Sequence, residues 1–182
     1  MAIVFELWAE CATEEEREVL IKHFDGFTVD LLTRRTISFH AGHPYPWKTS
    51  MTVSSRDLSN AGVRTLDDAI ETTEVGLQLY HHLKKGPPFR FARAAWEASL
   101  IPMAELNKYV APLLPGECRL ELECVLDDAL YKQFGSPKWF FPFREGYWWN
   151  RYSGEQYKPL YSSDQAALNK LGRSLFPEYF KY

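Results

Sequence analysis

Between Trp139 and Tyr152 the chain places eight aromatic rings in fourteen residues, Trp-Phe-Phe-Pro-Phe-Arg-Glu-Gly-Tyr-Trp-Trp-Asn-Arg-Tyr. Rings bury large areas and pack in a limited set of geometries, so whatever surrounds this stretch must be shaped to receive it. Arg144-Glu145-Gly146 has the composition of a three-residue hairpin loop with glycine at the closing position. On that reading Phe143 faces Tyr147, Phe141 faces Trp149 and Trp139 faces Arg151, a ladder of rings on one face with a cation at its open end. Pro142 has no N–H to give to a ladder, which puts its strand at a sheet edge. Trp148 and Tyr152 fall on the opposite face, where they are expected to be exposed. Trp, Tyr and Arg are the residue types that dominate binding interfaces. Arg144, Trp148, Arg151 and Tyr152 are therefore the candidate surface for a partner protein or small ligand.

A chain of 182 residues is long enough for one domain with a substantial core. We expect residues 1–99 to form that core and 100–182 an elaboration packed on it, with no linker between them. The net charge of −3 offers no cationic footprint for nucleic acid and no basic amphipathic helix for a membrane surface. No apolar run approaches the roughly 18 to 20 residues that span a bilayer. The first ten residues lack the basic stretch of a secretory signal, and Glu6 interrupts their apolar run. The cysteines are Cys11, Cys118 and Cys124. If 118–124 is one strand, the last two lie about 20 Å apart at roughly 3.3 Å per residue, too far for a disulfide. With no Cys-x-x-Cys pair, the expectation is a reduced, cytoplasmic protein without structural metal or cofactor.

The order of elements follows from periodicity and caps. Ile3 to Ala9 alternates as a strand. Thr13 caps a helix with Glu16 in the capping-box position, and Val19, Leu20, His23 and Phe24 form its inward stripe. Phe27, Val29 and Leu31, then Ile37 and Phe39, are extended; Thr33 to Thr36 fits either a bend in one strand or a join between two. A Gly/Pro turn at 41–46 leads to a strand through Trp47, Thr49, Met51 and Val53. The strongest helix signal starts at cap Thr65, with Leu66, Ile70, Thr73, Leu77, Tyr80 and Leu83 inward, and stops at Gly86-Pro87-Pro88. Phe89 to Trp96 alternates as the next strand. The sequence β-α-β-β-α-β is that of a ferredoxin-like α+β core, an antiparallel sheet with two helices on one face. Beyond it we expect a short helix at 102–110, a strand from Cys118 to Cys124, a short helix from Asp127-Asp128 to Phe134, the aromatic hairpin, and a terminal helix from Ser163.

Motifs for covalent or nucleotide chemistry are missing: there is no Gly-x-Ser-x-Gly elbow and no Gly-rich phosphate loop. Cys11 sits near a helix N-terminus, which can activate a thiol, although burial at a strand end accounts for it more simply. His40 and His43 share a Gly/Pro loop, and two imidazoles supply half a tetrahedral zinc site, with no further ligands nearby in sequence. Glu121 and Glu123 lie on one strand face about 7 Å apart at roughly 3.3 Å per residue, a spacing that suits an acid–base pair. Arg93 shares a face with Phe89 and Phe91. If that face is core, Arg93 needs a carboxylate partner; if open, it forms a site for an anionic ligand. Three readings result: a non-enzymatic binding module using the aromatic/Arg surface; an enzyme, such as a hydrolase, built from His40, His43, Glu121 and Glu123; and a homodimer that buries the aromatic patch.

Overall fold

The computed structural model describes residues 4–58, 60–112, 118–120, 122–157, 170, 172–175 and 177. Its centre is an antiparallel sheet built outward from the alternating N-terminal segment. That segment forms β1 (Phe5–Glu10), followed by α1 (Glu14–Phe24). Thr13 caps α1 by accepting from the Glu16 N–H, while Glu16 Oε2 accepts from the Ala12 N–H at 2.9 Å. Leu20 and Phe24 turn inward as expected, but Val19 is 54% exposed and Arg17 takes an inward place. The Arg17 guanidinium satisfies the Lys48 carbonyl, so this helix edge is closed by a hydrogen bond where the periodicity pointed to apolar packing.

The ambiguous segment resolves into two short strands, β2 (Thr28–Asp30) and β3 (Thr36–Ser38), which among the described residues pair only with each other. The chain then enters the main sheet as β4 (His40–Gly42) and β5 (Ser50–Ser54). Next comes α2 (Leu66–Leu83), opened by a full capping box between Thr65 and Asp68. β6 (Phe91–Trp96) returns through the sheet centre. Short 3-10 segments at Ala98–Leu100 and Met103–Tyr109 precede a small ladder of β7 (Val110–Pro112) with β8 (Cys118–Leu120). β9 (Cys124–Asp127), α3 (Asp128–Gln133), β10 (Phe141–Arg144) and β11 (Tyr147–Asn150) follow. The expected continuous strand from Cys118 to Cys124 is thus two strands in different sheets. Of the terminal helix, Lys170 and residues 172–175 are helical; its expected start at Ser163 lies outside the described residues.

The main sheet has seven strands in the order β10-β11-β9-β6-β1-β5-β4, every neighbouring pair antiparallel. The α+β class stands, but this order is not that of a four-stranded split-βαβ sheet, because β9, β11 and β10 extend it past β6. Both faces are buried. One packs Phe5, Leu7, Met51, Val53, Ala92, Val125 and Trp149 under α1, α2 and the β2–β3 hairpin. The other packs Trp8, Phe91, Cys124 and Leu126 under α3 and the 3-10 segments, so helices do not cover one face alone. Two acidic residues of β1 fasten this second layer: Glu6 accepts from the Ser99 N–H at 2.9 Å, and Glu10 from the Trp8 indole at 3.0 Å and the Met103 N–H at 2.5 Å.

Candidate functional site

The aromatic hairpin forms, and Phe141 pairs with Trp149 as expected. Its loop is shorter, however: Arg144 pairs with Tyr147, leaving Glu145-Gly146 as a two-residue turn with Gly146 at φ 75°. The register shift between Pro142 and Arg144 is a bulge at Phe143, which turns that ring into the first core against Tyr80 and Trp149. β10 is an edge strand, in keeping with Pro142. Trp139 lies in the turn before β10 and packs on the second core, so Arg151 sits instead over the Phe141 ring, 3.5 Å from its centroid.

Of the four expected surface residues, Arg144, Trp148 and Tyr152 make interior contacts, while Arg151 lies half-buried over the exposed Phe141 ring. Arg144 donates to the carbonyls of Lys84, Gly86 and Pro87 and lies over the Tyr147 ring at 4.2 Å, clasping the chain as it leaves α2. Trp148 is half-buried, stacked on Tyr131 at 4.2 Å with its indole donating to Asp128 Oδ1 at 3.1 Å. Tyr152 is only 3% exposed. The expected exposure of Trp148 and Tyr152 is therefore corrected: the second core and the face of α2 receive them, because the sheet is covered on both sides. The exposed rings include Tyr45 and Trp47, in the loop between β4 and β5.

Of the acid–base set, the described members His40 and His43 are not brought to Glu123. His40 lies on edge strand β4 and His43 just beyond it, both exposed. β5, β1 and β6 separate β4 from β9, next to Glu123, a distance of about 19 Å at roughly 4.8 Å per strand. Glu121 lies outside the described residues. Among the described residues no group of three or more His, Cys, Asp or Glu is arranged to hold a metal ion. Cys11 is buried at the strand end and its thiol is pushed up to about 12, chiefly by burial and then by Glu16, the reverse of activation.

What the sheet does create is a gap. The β6–β9 ladder lasts two residue pairs, Phe91 with Leu126 and Ala92 with Val125. Continued, it would set Ala94 opposite Glu123. Instead the chain before β9 is drawn toward β11: Asn150 Nδ2 donates to the Leu120 and Leu122 carbonyls at 3.3 and 2.8 Å, and the Ser153 N–H and hydroxyl both donate to Glu123 Oε1. The strands part, and a cleft of ≈ 470 Å³ opens between Arg93–Trp96 on one wall and Leu122 and Glu123 on the other. Ile101 and Tyr109 close its apolar side, with Tyr152, Gly154 and Glu155 at its base.

The base is held by α2. Gly76 lets the Tyr152 ring approach so closely that a Cβ there would lie 2.5 Å from Cε1. Gly154, at φ 94°, runs against Thr73, whose hydroxyl accepts from the Glu155 N–H at 2.8 Å. Glu155 is thereby presented to the cleft, its two carboxylate oxygens accepting from the Tyr152 hydroxyl at 2.9 Å and the Trp96 indole at 3.0 Å.

The electrostatics are strained. Burial raises the Glu123 carboxyl above its ordinary range, against the Ser153 hydrogen bonds that favour its charge. Burial likewise raises Glu155, against its bonds from Tyr152 and Trp96. Arg93 is the cation that both of them feel. Yet its buried Nε meets no acceptor among the described residues, and it forms no ion pair with either glutamate. A guanidinium N–H kept from water and given no acceptor costs free energy. The alternation around Arg93 hinted at this in the sequence. Nothing local pointed to Glu155, Gly76 or Gly154, which matter only through contacts across some eighty residues. Compared with protein-family models, curated proteins and solved structures, the chain matches none of them, so no relative supplies a role for Arg93, Glu123 or Glu155.

Proposed function

We propose that the protein is a non-enzymatic binding module for a small polar ligand with an apolar part, held in the cleft between β6 and β9. The observation that carries this reading is that Arg93, whose buried Nε has no acceptor among the described residues, lines one cleft of ligand-pocket size together with two partly desolvated carboxylates. Apolar walls with a few converging polar groups are the usual make-up of such sites. The binding residues in this reading are Arg93, Glu123, Glu155, Trp96 and Tyr152; of the four residues expected from sequence, Tyr152 alone is kept. We read β1, β4, β5 and β6 with α1 and α2 as a ferredoxin-like unit, supported by their mutual order β6-β1-β5-β4, with a hairpin inserted and three strands added. Cys11 and Cys124 are buried and free, which suits a reducing, cytoplasmic setting.

The test is a ligand-observed and protein-observed NMR screen of small carboxylates, amines, alcohols and amino acids. A binder is expected to move the Trp96 indole resonance in the wild type and not in Arg93→Met. Binders that leave Trp96 unmoved, or that bind Arg93→Met equally, would sink the cleft as the site. A catalytic reading keeps only Glu123 of the expected acid–base set, and the upward shift of its carboxyl is what favours it. Conversion of a bound compound by the wild type but not by Glu123→Gln would turn the assignment toward an enzyme.

A further inference from the structure

The cleft offers its polar groups unequally. Glu155 already accepts through both oxygens, from Tyr152 and Trp96. Both donors that reach Glu123 go to Oε1, so Oε2 has no donor among the described residues, and Glu123 lines the cleft. Arg93, on the opposite wall, has a full set of guanidinium donors and no ion pair with either glutamate. One cation and one carboxylate oxygen thus stand open in the same cleft, with no ion pair between them. A simple anion would satisfy Arg93 but face Glu123 and Glu155 as like charges. A simple cation would satisfy Glu123 and leave the half-buried Arg93 without a partner. Like-charge contacts and unpaired buried charges both count against binding. A molecule carrying both signs on neighbouring atoms suits both walls, and Ile101, Leu122, Trp96 and Tyr109 remain for an apolar substituent.

We infer that the ligand is a small zwitterion of the α-amino-acid kind with an apolar side chain, its carboxylate on Arg93 and its ammonium on Glu123; this rests on the reading of the cleft as a ligand site. Guanidinium and carboxylate can meet in a two-pronged pair, while the ammonium restores to Glu123 the positive neighbour that its own chain keeps at a distance.

Three probes with one apolar body separate the possibilities: L-phenylalanine, 3-phenylpropanoate with the carboxylate alone, and 2-phenylethylamine with the ammonium alone. Titrations would follow the Trp96 indole resonance, assigned with Trp96→Phe. L-Phenylalanine is expected to bind about ten- to a hundredfold more tightly than either single-charge analogue. Arg93→Met and Glu123→Gln should each remove that advantage, with unchanged circular dichroism. Glu123→Gln keeps the acceptor for Ser153, so it serves as the second variant if Arg93→Met does not fold. Should an analogue bind as tightly as L-phenylalanine and lose its binding in Arg93→Met, the zwitterion assignment falls while the cleft survives. Absence of binding by all three probes also overturns the assignment, and the broader screen then decides the fate of the cleft.

Discussion

At the scale of single residues, Arg144 illustrates how a binding-type side chain becomes structural. Its guanidinium reaches three carbonyls of the segment that ends α2 and stacks on Tyr147 and Phe89. Arg144→Ala should therefore lower stability by about 2 to 4 kcal/mol in urea denaturation. Arg144→Lys should recover little, because a single ammonium cannot reproduce the planar fork; full recovery by Lys would mean that charge alone matters there. His82 is a second case. Its ring lies between His23 and Phe27, each 4.1 Å away, and each histidine Nε2 meets the backbone carbonyl of the other at 3.1 and 2.9 Å. Burial holds His82 below the ordinary 6.5, helped by the positive neighbours His23, Lys85 and His81. The folded protein thus binds fewer protons than the unfolded chain in acid. Stability should be complete above the ordinary histidine value of 6.5 and fall as pH drops below it toward the lowered folded value. Urea titrations across that range should show the fall in the wild type and a smaller one in His82→Gln; equal slopes would contradict it.

At the scale of elements, the decisive contact is between α2 and the segment after β11. Gly76 carries no demand for unusual backbone within its helix. It is needed because the Tyr152 ring occupies the place of a side chain. Gly76→Ala improves helix propensity by about 1 kcal/mol in an exposed helix, yet here overpacking should dominate, with a net loss of about 1 to 3 kcal/mol. Thermal melts would read the loss, and the Trp96–Glu155 bond should be disturbed with it, visible as a shifted indole resonance. A stabilised Gly76→Ala with an unmoved Trp96 signal would show that Tyr152 is not seated there. The 3-10 segments tell a related story, since their backbone donors Ser99 and Met103 are held by Glu6 and Glu10 of β1 in place of longer helical ladders.

At the scale of the whole molecule, β1 and β6 form the spine, paired on both sides and covered on both faces, whereas β4 and β10 are edges. Protection should follow that order. Amides of Leu7, Ala9 and Ala92 are expected among the slowest to exchange with deuterium, and those of β4 and β10 among the fastest. Early exchange in β6 would mean that the gap beside β9 extends into the spine.

Local chemistry was enough to place most elements. Thr13 and Thr65 are caps, Gly86-Pro87-Pro88 is a stop, and the alternation in β1, β5 and β6 is strand-like, because each of these signals acts within a few residues of itself. The aromatic hairpin was legible for the same reason, along with the edge position of its Pro142 strand. Which face a side chain turns to, and what lies on that face, depends on partners distant in sequence. Trp148 and Tyr152 read as exposed because a covering layer of α3 and the packing of Tyr152 on Gly76 leave no local trace. Likewise Glu121 and His40 had the local look of chemistry, while no local signal marked Glu155 or Gly154. Only the tertiary structure, by parting β6 from β9 and drawing the second wall to Asn150 and Ser153, made Arg93, Glu123 and Glu155 neighbours without letting them pair.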